Sequence, residues 1–206
     1  MEVVIVGHGP SMIGSRLGDT IDSFPFVVRQ KRCSETLKRP DDYGTITDAV
    51  CGSFTIATEL QKDMPGCEYW VFMDSRHTNV PRETVEAVEK GIPCIILREF
   101  CDEWNERYRK SRRSFKLYEG QEPKNTSDAM GHTHMSAGLH TILYTCEIMK
   151  PEFIYLAGFD NIKTGGFTWS VTRGPRWNKY PDHNWATEHE MIPVISDHFN
   201  VRIEYL

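Results

Sequence analysis

Short apolar runs alternate with helical patterns along the whole chain. That alternation predicts an α/β fold: a single Rossmann-like domain with a mostly parallel sheet and helices on both faces. Several of the runs are continuously apolar, as in VVIV after Glu2 and YWVFM at 69–73, which suits strands covered on both sides. The length of 206 residues suits one domain, so residues 1–206 are expected to form a single unit.

Taken in order, strands are expected at 2–6, 26–29, 53–58, 69–73, 94–97, 153–156 and 201–205, each rich in Val, Ile, Tyr or Phe and bounded by Gly, Pro or Asp. A helix over 82–90 follows Pro81 and stops at Gly91, the usual proline start and glycine stop. An amphipathic, charged helix is expected over 102–113. Another runs from Ser136 to Met149, ahead of Pro151, and a last one over 185–199 carries Pro193 as a kink. The connections 118–134 and 161–182, rich in Gly and Pro, are long for a compact domain, as binding loops and lids are.

Composition narrows the function. Net charge is −5, which argues against retention on nucleic acid by bulk charge. The longest apolar runs are about five residues against the roughly 20 of a membrane span. Residues 2–7 already read as a core strand with no basic region before them, so a soluble, cytoplasmic protein without signal peptide or anchor is expected. The six cysteines contain no C-x-x-C pair and read as reduced thiols.

The first strand runs straight into Gly7-His8-Gly9-Pro10-Ser11. Glycines there let backbone approach a ligand phosphate at a helix N-terminus. The pattern is neither G-x-G-x-x-G nor a phosphate-binding loop ending in G-K-S/T. On its own it fits a nucleotide site or a plain strand–helix turn.

The wider string VVIVGHGPSMIGSRLGDTIDSFPFVVRQKR resembles the large sialyl motif of the family 29 sialyltransferases: a strand ending in V-G-N-G/S, a short helix, then G-x-x-I-D-S-x-x-x-V-x-R-x-N. Val6-Gly7, Gly18, Ile21-Asp22-Ser23, Val28 and Arg29 fall in that order. Ser136-Ala137-Gly138, Leu143, Cys146-Glu147 and Leu156-Ala157-Gly158-Phe159-Asp160 resemble the small motif, and the stretch from His183 to Glu188 resembles the very short H-x-x-x-x-E motif. Residues 33–130 carry no motif that can be assigned. Three departures accompany the resemblance. His8 and Lys31 stand where the family has asparagines associated with the cytidine nucleotide, and no cysteine precedes the first strand to pair with Cys146. The chain thus looks like a compact microbial or viral relative.

The resemblance implies a sialyltransferase variant of the GT-A-like fold. It implies a metal-independent, inverting glycosyltransferase that moves a sialic-acid-like sugar from a CMP-activated donor to a hydroxyl of a glycan or other acceptor, with no cofactor. His183 would take the acceptor proton, since an imidazole titrates near neutrality. Glu188 would orient His183 or face solvent. The nucleotide would lie against Gly7, His8, Gly9, Pro10, Ser11, Ser136, Ala137 and Gly138. Backbone N–H groups at the two helix starts would face its phosphate. Tyr180, Arg29 and Lys31 would add donors or charge, although Arg29 also suits a strand-end ion pair. No D-x-D closes a strand, and His132 and His134 lack a partner carboxylate cluster, so no metal is expected. Asp74 ends a strand, and Trp169, Trp177 and Trp185 could stack on a sugar or base or simply pack.

Arg107, Arg109, Lys110, Arg112, Arg113 and Lys116 form a basic cluster that could grip an anionic acceptor such as nucleic acid, or make a solvated helix face. Two rival functions follow. One is a transferase of the same fold that decorates a nucleic-acid base from another donor. The other is a nucleotide-binding protein without catalysis, which the His8 and Lys31 substitutions favour.

Overall fold

The computed structural model describes residues 1–31, 33–53, 67–72, 94–113, 135–164 and 185–206, with the side chains of Ser53, Phe72 and residues 111–113 left aside. Within these segments the strands are β1 (Glu2–Val6), β2 (Val27–Gln30), β3 (Ala49–Ser53), β4 (Glu68–Phe72), β5 (Cys94–Ile96), β6 (Phe153–Ala157) and β7 (Arg202–Tyr205). The helices are α1 (Gly18–Asp22), α2 (Pro40–Tyr43), α3 (Arg98–Arg113), α4 (Ala137–Met149), α5 (Asp160–Thr164) and α6 (Trp185–Phe199), with a 3₁₀ turn at Pro10–Met12.

The strands form one seven-stranded sheet in the order β5-β4-β3-β2-β1-β6-β7. All its pairings are parallel. The third strand forms earlier than 53–58. Asp48 accepts the Val27 N–H on its side chain (2.7 Å) and donates its own N–H to the Val27 carbonyl (2.9 Å), which starts the pairing at Ala49. The helix expected from 102 begins at Arg98, because the chain turns directly after β5: Cys101 N–H donates to the Leu97 carbonyl at 3.0 Å. The helix expected at 82–90 and residues 54–58 lie outside the described residues.

Strand alternation divides the core. Val3 and Ile5 face α3, α4 and α6 together with Trp70, Trp104, Leu139, Ile142 and Ile195. Val4 and Val6 face Met12, Ile21 and Tyr43 from the turn, α1 and α2. Helices therefore cover both faces, as the continuously apolar strands require. On the first face the Tyr144 hydroxyl donates to the Val71 carbonyl and accepts the Leu97 N–H, both at 3.0 Å, so α4 pins β4 to the end of β5. None of the six cysteines forms a disulfide. Burial pushes the thiols of Cys51 and Cys146 up to about 12, which leaves them poor nucleophiles.

The G-x-x-I-D-S and arginine positions of the large motif build one internal brace. Gly18 has no room for a side chain because the Pro40 carbonyl sits against it. Asp22 accepts the N–H groups of Thr45 (2.8 Å) and Ile46 (2.9 Å) and the Thr45 hydroxyl (2.9 Å). Gly44 reaches this loop at φ 68°, and a side chain there would collide with the Asp22 carboxylate. Arg29 is fully buried. Its Nε donates to the Ile46 carbonyl (3.0 Å) and the Thr47 hydroxyl (2.8 Å), and its Nη2 to the Tyr43 carbonyl (2.9 Å). Burial lowers its pKa to about 10. Burial pushes the Asp22 carboxyl upward, but the Ile46 and Thr45 donors and the Arg29 charge outweigh it and hold its pKa below the usual range.

Replacing Asp22 by Ala is expected to cost about 1–2 kcal/mol, since the carboxylate is partly solvated yet leaves several donors behind. Asp22→Asn should recover part of the loss. Urea midpoints of the three proteins check both expectations.

Candidate functional site

The chain builds β1 to β5 in one direction, then returns to place β6 on the other side of β1. The strand order thus reverses between β1 and β6, and in parallel sheets ligands gather beyond the carboxyl ends of the strands at such a point. Both glycine turns of the sequence lie there. Gly7 follows β1, and a side chain on it would meet the Gly158 carbonyl at 2.5 Å and the Phe159 ring at 3.1 Å. Gly138, in the first turn of α4, faces the same ring at 3.3 Å and the Gln30 amide at 3.0 Å. The buried Phe159 ring is therefore wedged between the two turns, and only glycines let it close so tightly.

The two turns differ in what they leave free. In residues 7–11 the backbone N–H groups of Gly7, Gly9 and Ser11 are already used. Gly7 N–H donates to the Ala157 carbonyl (2.7 Å), Gly9 N–H to the Gly158 carbonyl (2.8 Å), and Ser11 N–H to the Asp160 carboxylate (2.9 Å). Pro10 has no N–H. The Ser11 hydroxyl also donates to Asp160 in a short hydrogen bond. His8 is half-buried between the two glycines, and Lys31 leaves β2 with its N–H on the Cys51 carbonyl at 2.9 Å.

At α4 the balance is reversed. Ser136 caps the helix, accepting the Leu139 N–H on its hydroxyl at 3.2 Å. The N–H groups of Ala137 and Gly138 have no partner among the described residues. They sit at the positive end of a 13-residue helix, a ready anion site.

Glu188 sets the position of that helix end. It is fully buried. One carboxyl oxygen accepts the Ser136 N–H at 2.6 Å and the other the Ser136 hydroxyl at 2.5 Å. Glu188 thus neither faces solvent nor lies idle: α6 holds the start of α4 through it. Burial raises its pKa to about 8 despite the two hydrogen bonds. His189, the next residue, donates from Nδ1 to the Ile162 carbonyl at 2.8 Å and ties α6 to α5.

Of the expected site residues, the structure brings together Gly7, His8, Gly9, Pro10, Ser11, Lys31, Ser136, Ala137 and Gly138 at the carboxyl edge of the sheet. It diverts Arg29 into the brace beneath Tyr43, where it neither joins the site nor forms an ion pair among the described residues. His183, Tyr180, Asp74, His132, His134, Trp169 and Trp177 lie outside the described residues. Sequence reasoning passed over Asp160 and Phe159 as site residues, although both stand in the G-F-D of the small motif. It also passed over Tyr43, for which no sequence signal exists.

The basic cluster on α3 is paired where it is described. Arg107 meets Glu103 at 2.6 Å, Arg109 meets Glu106 at 3.1 Å, and Lys110 lies 3.9 Å from Glu106. Arg107 also stacks on Trp104 at 4.8 Å. No described helix is long and apolar enough to cross a membrane.

No family model matches this sequence, and no curated protein does. The fold, by contrast, has clear relatives among solved structures. A mammalian sialyltransferase superposes with a TM-score of 0.61 at 14% identity, covering 98% of this chain and 68% of that one. A mammalian sialyltransferase in complex with Gal-beta-1-3GalNAc-ortho-nitrophenol superposes at 0.60, with the same identity and coverage. The chain therefore has a sialyltransferase-like fold along nearly its whole length.

Glu188 has a testable electrostatic signature. Its pKa in the folded protein lies above the ordinary 4.5, so the folded state holds a proton that the unfolded state releases. Its contribution to stability is then full below about 4.5 and is lost as pH rises towards about 8. Glu188→Gln keeps the size and stays neutral. The difference in urea midpoint between wild type and this variant should move in the variant's favour from pH 5 to pH 8; a constant difference would mean the carboxyl is ionised throughout.

Proposed function

We propose that this protein is a metal-independent, inverting glycosyltransferase that transfers a sialic-acid-like sugar from a CMP-activated donor to a hydroxyl acceptor. The observation that carries the proposal is the pair of N–H groups at Ala137 and Gly138, without a partner among the described residues and facing Gly7 across the Phe159 ring on a sialyltransferase-like fold. In a transfer from a nucleotide sugar, negative charge grows on the departing phosphate. Fixed backbone donors at a helix start stabilise it without reorganising. Lys31 and His8, at the edge of the same turn, supply side chains to the nucleotide where the family has asparagines. His183 is proposed as the base for the acceptor hydroxyl, on the strength of its place in the H-x-x-x-x-E motif five residues before Glu188.

A second reading, nucleotide binding without transfer, is favoured by His8 and Lys31 in place of those asparagines. The basic cluster on α3 gives no comparable support to a nucleic-acid acceptor, since Arg107, Arg109 and Lys110 each have a glutamate beside them.

CMP at 100 times its dissociation constant should stabilise the fold by about 2.7 kcal/mol, or about 5–10 °C in melting temperature. Ala137→Pro removes one free donor at a helix position where proline is tolerated, and Ser136 already has the extended backbone that precedes proline (φ −66°, ψ 164°). That variant should fold normally and bind CMP about tenfold or more weakly. A shift with uridine or guanosine nucleotides but none with CMP would overturn the donor assignment.

His183→Asn should cut turnover by about 10²–10⁴ while leaving CMP affinity near wild type, and wild-type activity should fall as pH drops through the histidine pKa. The same assay run in EDTA should lose nothing. Wild-type protein that binds CMP but turns over no donor would favour the binding-only reading.

A further inference from the structure

Gly9 is held on every side by residues remote in sequence. Its N–H donates to Gly158, and a side chain on its Cα would run into the Asp160 carboxylate at 2.5 Å. Its carbonyl accepts the hydroxyl of Tyr43 at 3.1 Å. Tyr43 belongs to α2, in the stretch that carries no recognisable motif, and is fully buried. It is held from behind in turn: Arg29 grips its carbonyl and Gly44 turns the chain into the loop that Asp22 caps. Its neighbour Asp42 accepts the N–H groups of Gly14 (2.9 Å) and Arg16 (3.2 Å), fastening the far end of the same glycine turn to α2.

We infer that Tyr43 is a positioning residue for the donor: the hydrogen bond from its hydroxyl to the Gly9 carbonyl carries the Asp22–Arg29 brace to the turn and sets how close that turn stands to the anion site on α4. The inference rests on the donor reading above. Within the turn itself the Gly9 carbonyl accepts the Met12 N–H at a long 3.3 Å, Pro10 has no N–H, and Gly9 is the residue freest to move. The donors of Gly9 and Ser11 are tied to β6 and α5, and Tyr43 supplies the bond from α2 to the Gly9 carbonyl. With that bond gone, residues 7–11 keep their β6 and α5 ties, while α2 holds the chain farther on, where Asp42 accepts Gly14 and Arg16. Gly7, which packs on the Phe159 ring whose other edge packs on Gly138, then loses its fixed distance from the α4 start. Asp22 and Arg29 thus reach the Gly9 carbonyl through Tyr43, besides the strand pairing of Arg29 with Val6, which is how motif residues buried in the brace bear on donor binding.

The test uses the full chain and Tyr43→Phe, which keeps the ring and removes only the hydroxyl. Ile195→Val, a small loss in the core beneath α6, serves as a stability control. Amide hydrogen exchange at Gly9 and Ser11, followed by NMR without any nucleotide, is expected to speed up at least tenfold in Tyr43→Phe and to stay unchanged in Ile195→Val. The dissociation constant for CMP is expected to rise about tenfold in Tyr43→Phe, with donor KM rising in step and kcat nearly constant. Unchanged exchange at Gly9 and Ser11, or unchanged CMP affinity alongside a lowered melting temperature, would reduce Tyr43 to core packing and overturn the inference. If wild-type protein binds no CMP, the donor reading fails by itself, while the exchange arm still decides whether Tyr43 sets the turn.

Discussion

The pairing of β1 with β6 is the constraint on which the rest of the architecture rests. Glu2 aligns with Phe153 and Val6 with Ala157, about 150 residues apart in the chain. That register reverses the strand order and opens the edge of the sheet. It also brings the turn after β1 level with the turn after β6, so that Gly7, Gly9 and Gly158 lie backbone to backbone. A shift of one residue would send Val4 and Val6 to the face packed by α4 and α6 and break the core on both sides. The alternating burial of these valines therefore protects the register and, through it, the position of the site.

Around this pairing the polar groups divide into those spent on the fold and those left for a ligand. The glycine turn, the more conspicuous sequence feature, spends its donors internally on Ala157, Gly158 and Asp160. The quieter helix start at Ser136 keeps two N–H groups without a partner among the described residues. A buried polar group left unsatisfied is costly, so the bonds of residues 7–11 go to the fold. Two buried ionisable groups, Arg29 and Glu188, organise the two halves separately. Arg29 donates from Nε and Nη2 to neutral carbonyl and hydroxyl oxygens, and Glu188 is held by one serine. Each orders the segment it holds.

The chain superposes on 68% of the mammalian sialyltransferase it resembles in fold. The braces from Asp22, Arg29 and Tyr43 hold the turn after β1 in place without a disulfide: none of the six cysteines is disulfide-bonded, and Cys146 packs into the core as an apolar side chain.

The α/β class, six of the seven described strands, the long helices at 136–149 and 185–199 and the gathering of the two glycine turns were legible in the sequence. They depend on local periodicity and on glycines whose spacing follows the strands. The start of β3 was not, because Asp48 sets it through a bond to Val27 that no local pattern encodes. Nor were the roles of Arg29 and Glu188. Both look from composition like surface or active-site charges, and only the packing of α2 over β2 and of α6 over α4 removes them from water. Tyr43 gave no signal at all, for its contribution is one hydroxyl meeting one carbonyl 34 residues away. The sequence determined which segments become strands and helices, because that is a matter of neighbouring side chains. The tertiary structure decided which donors remain free, because a hydrogen bond is used up only when a distant partner comes within 3 Å or so of it.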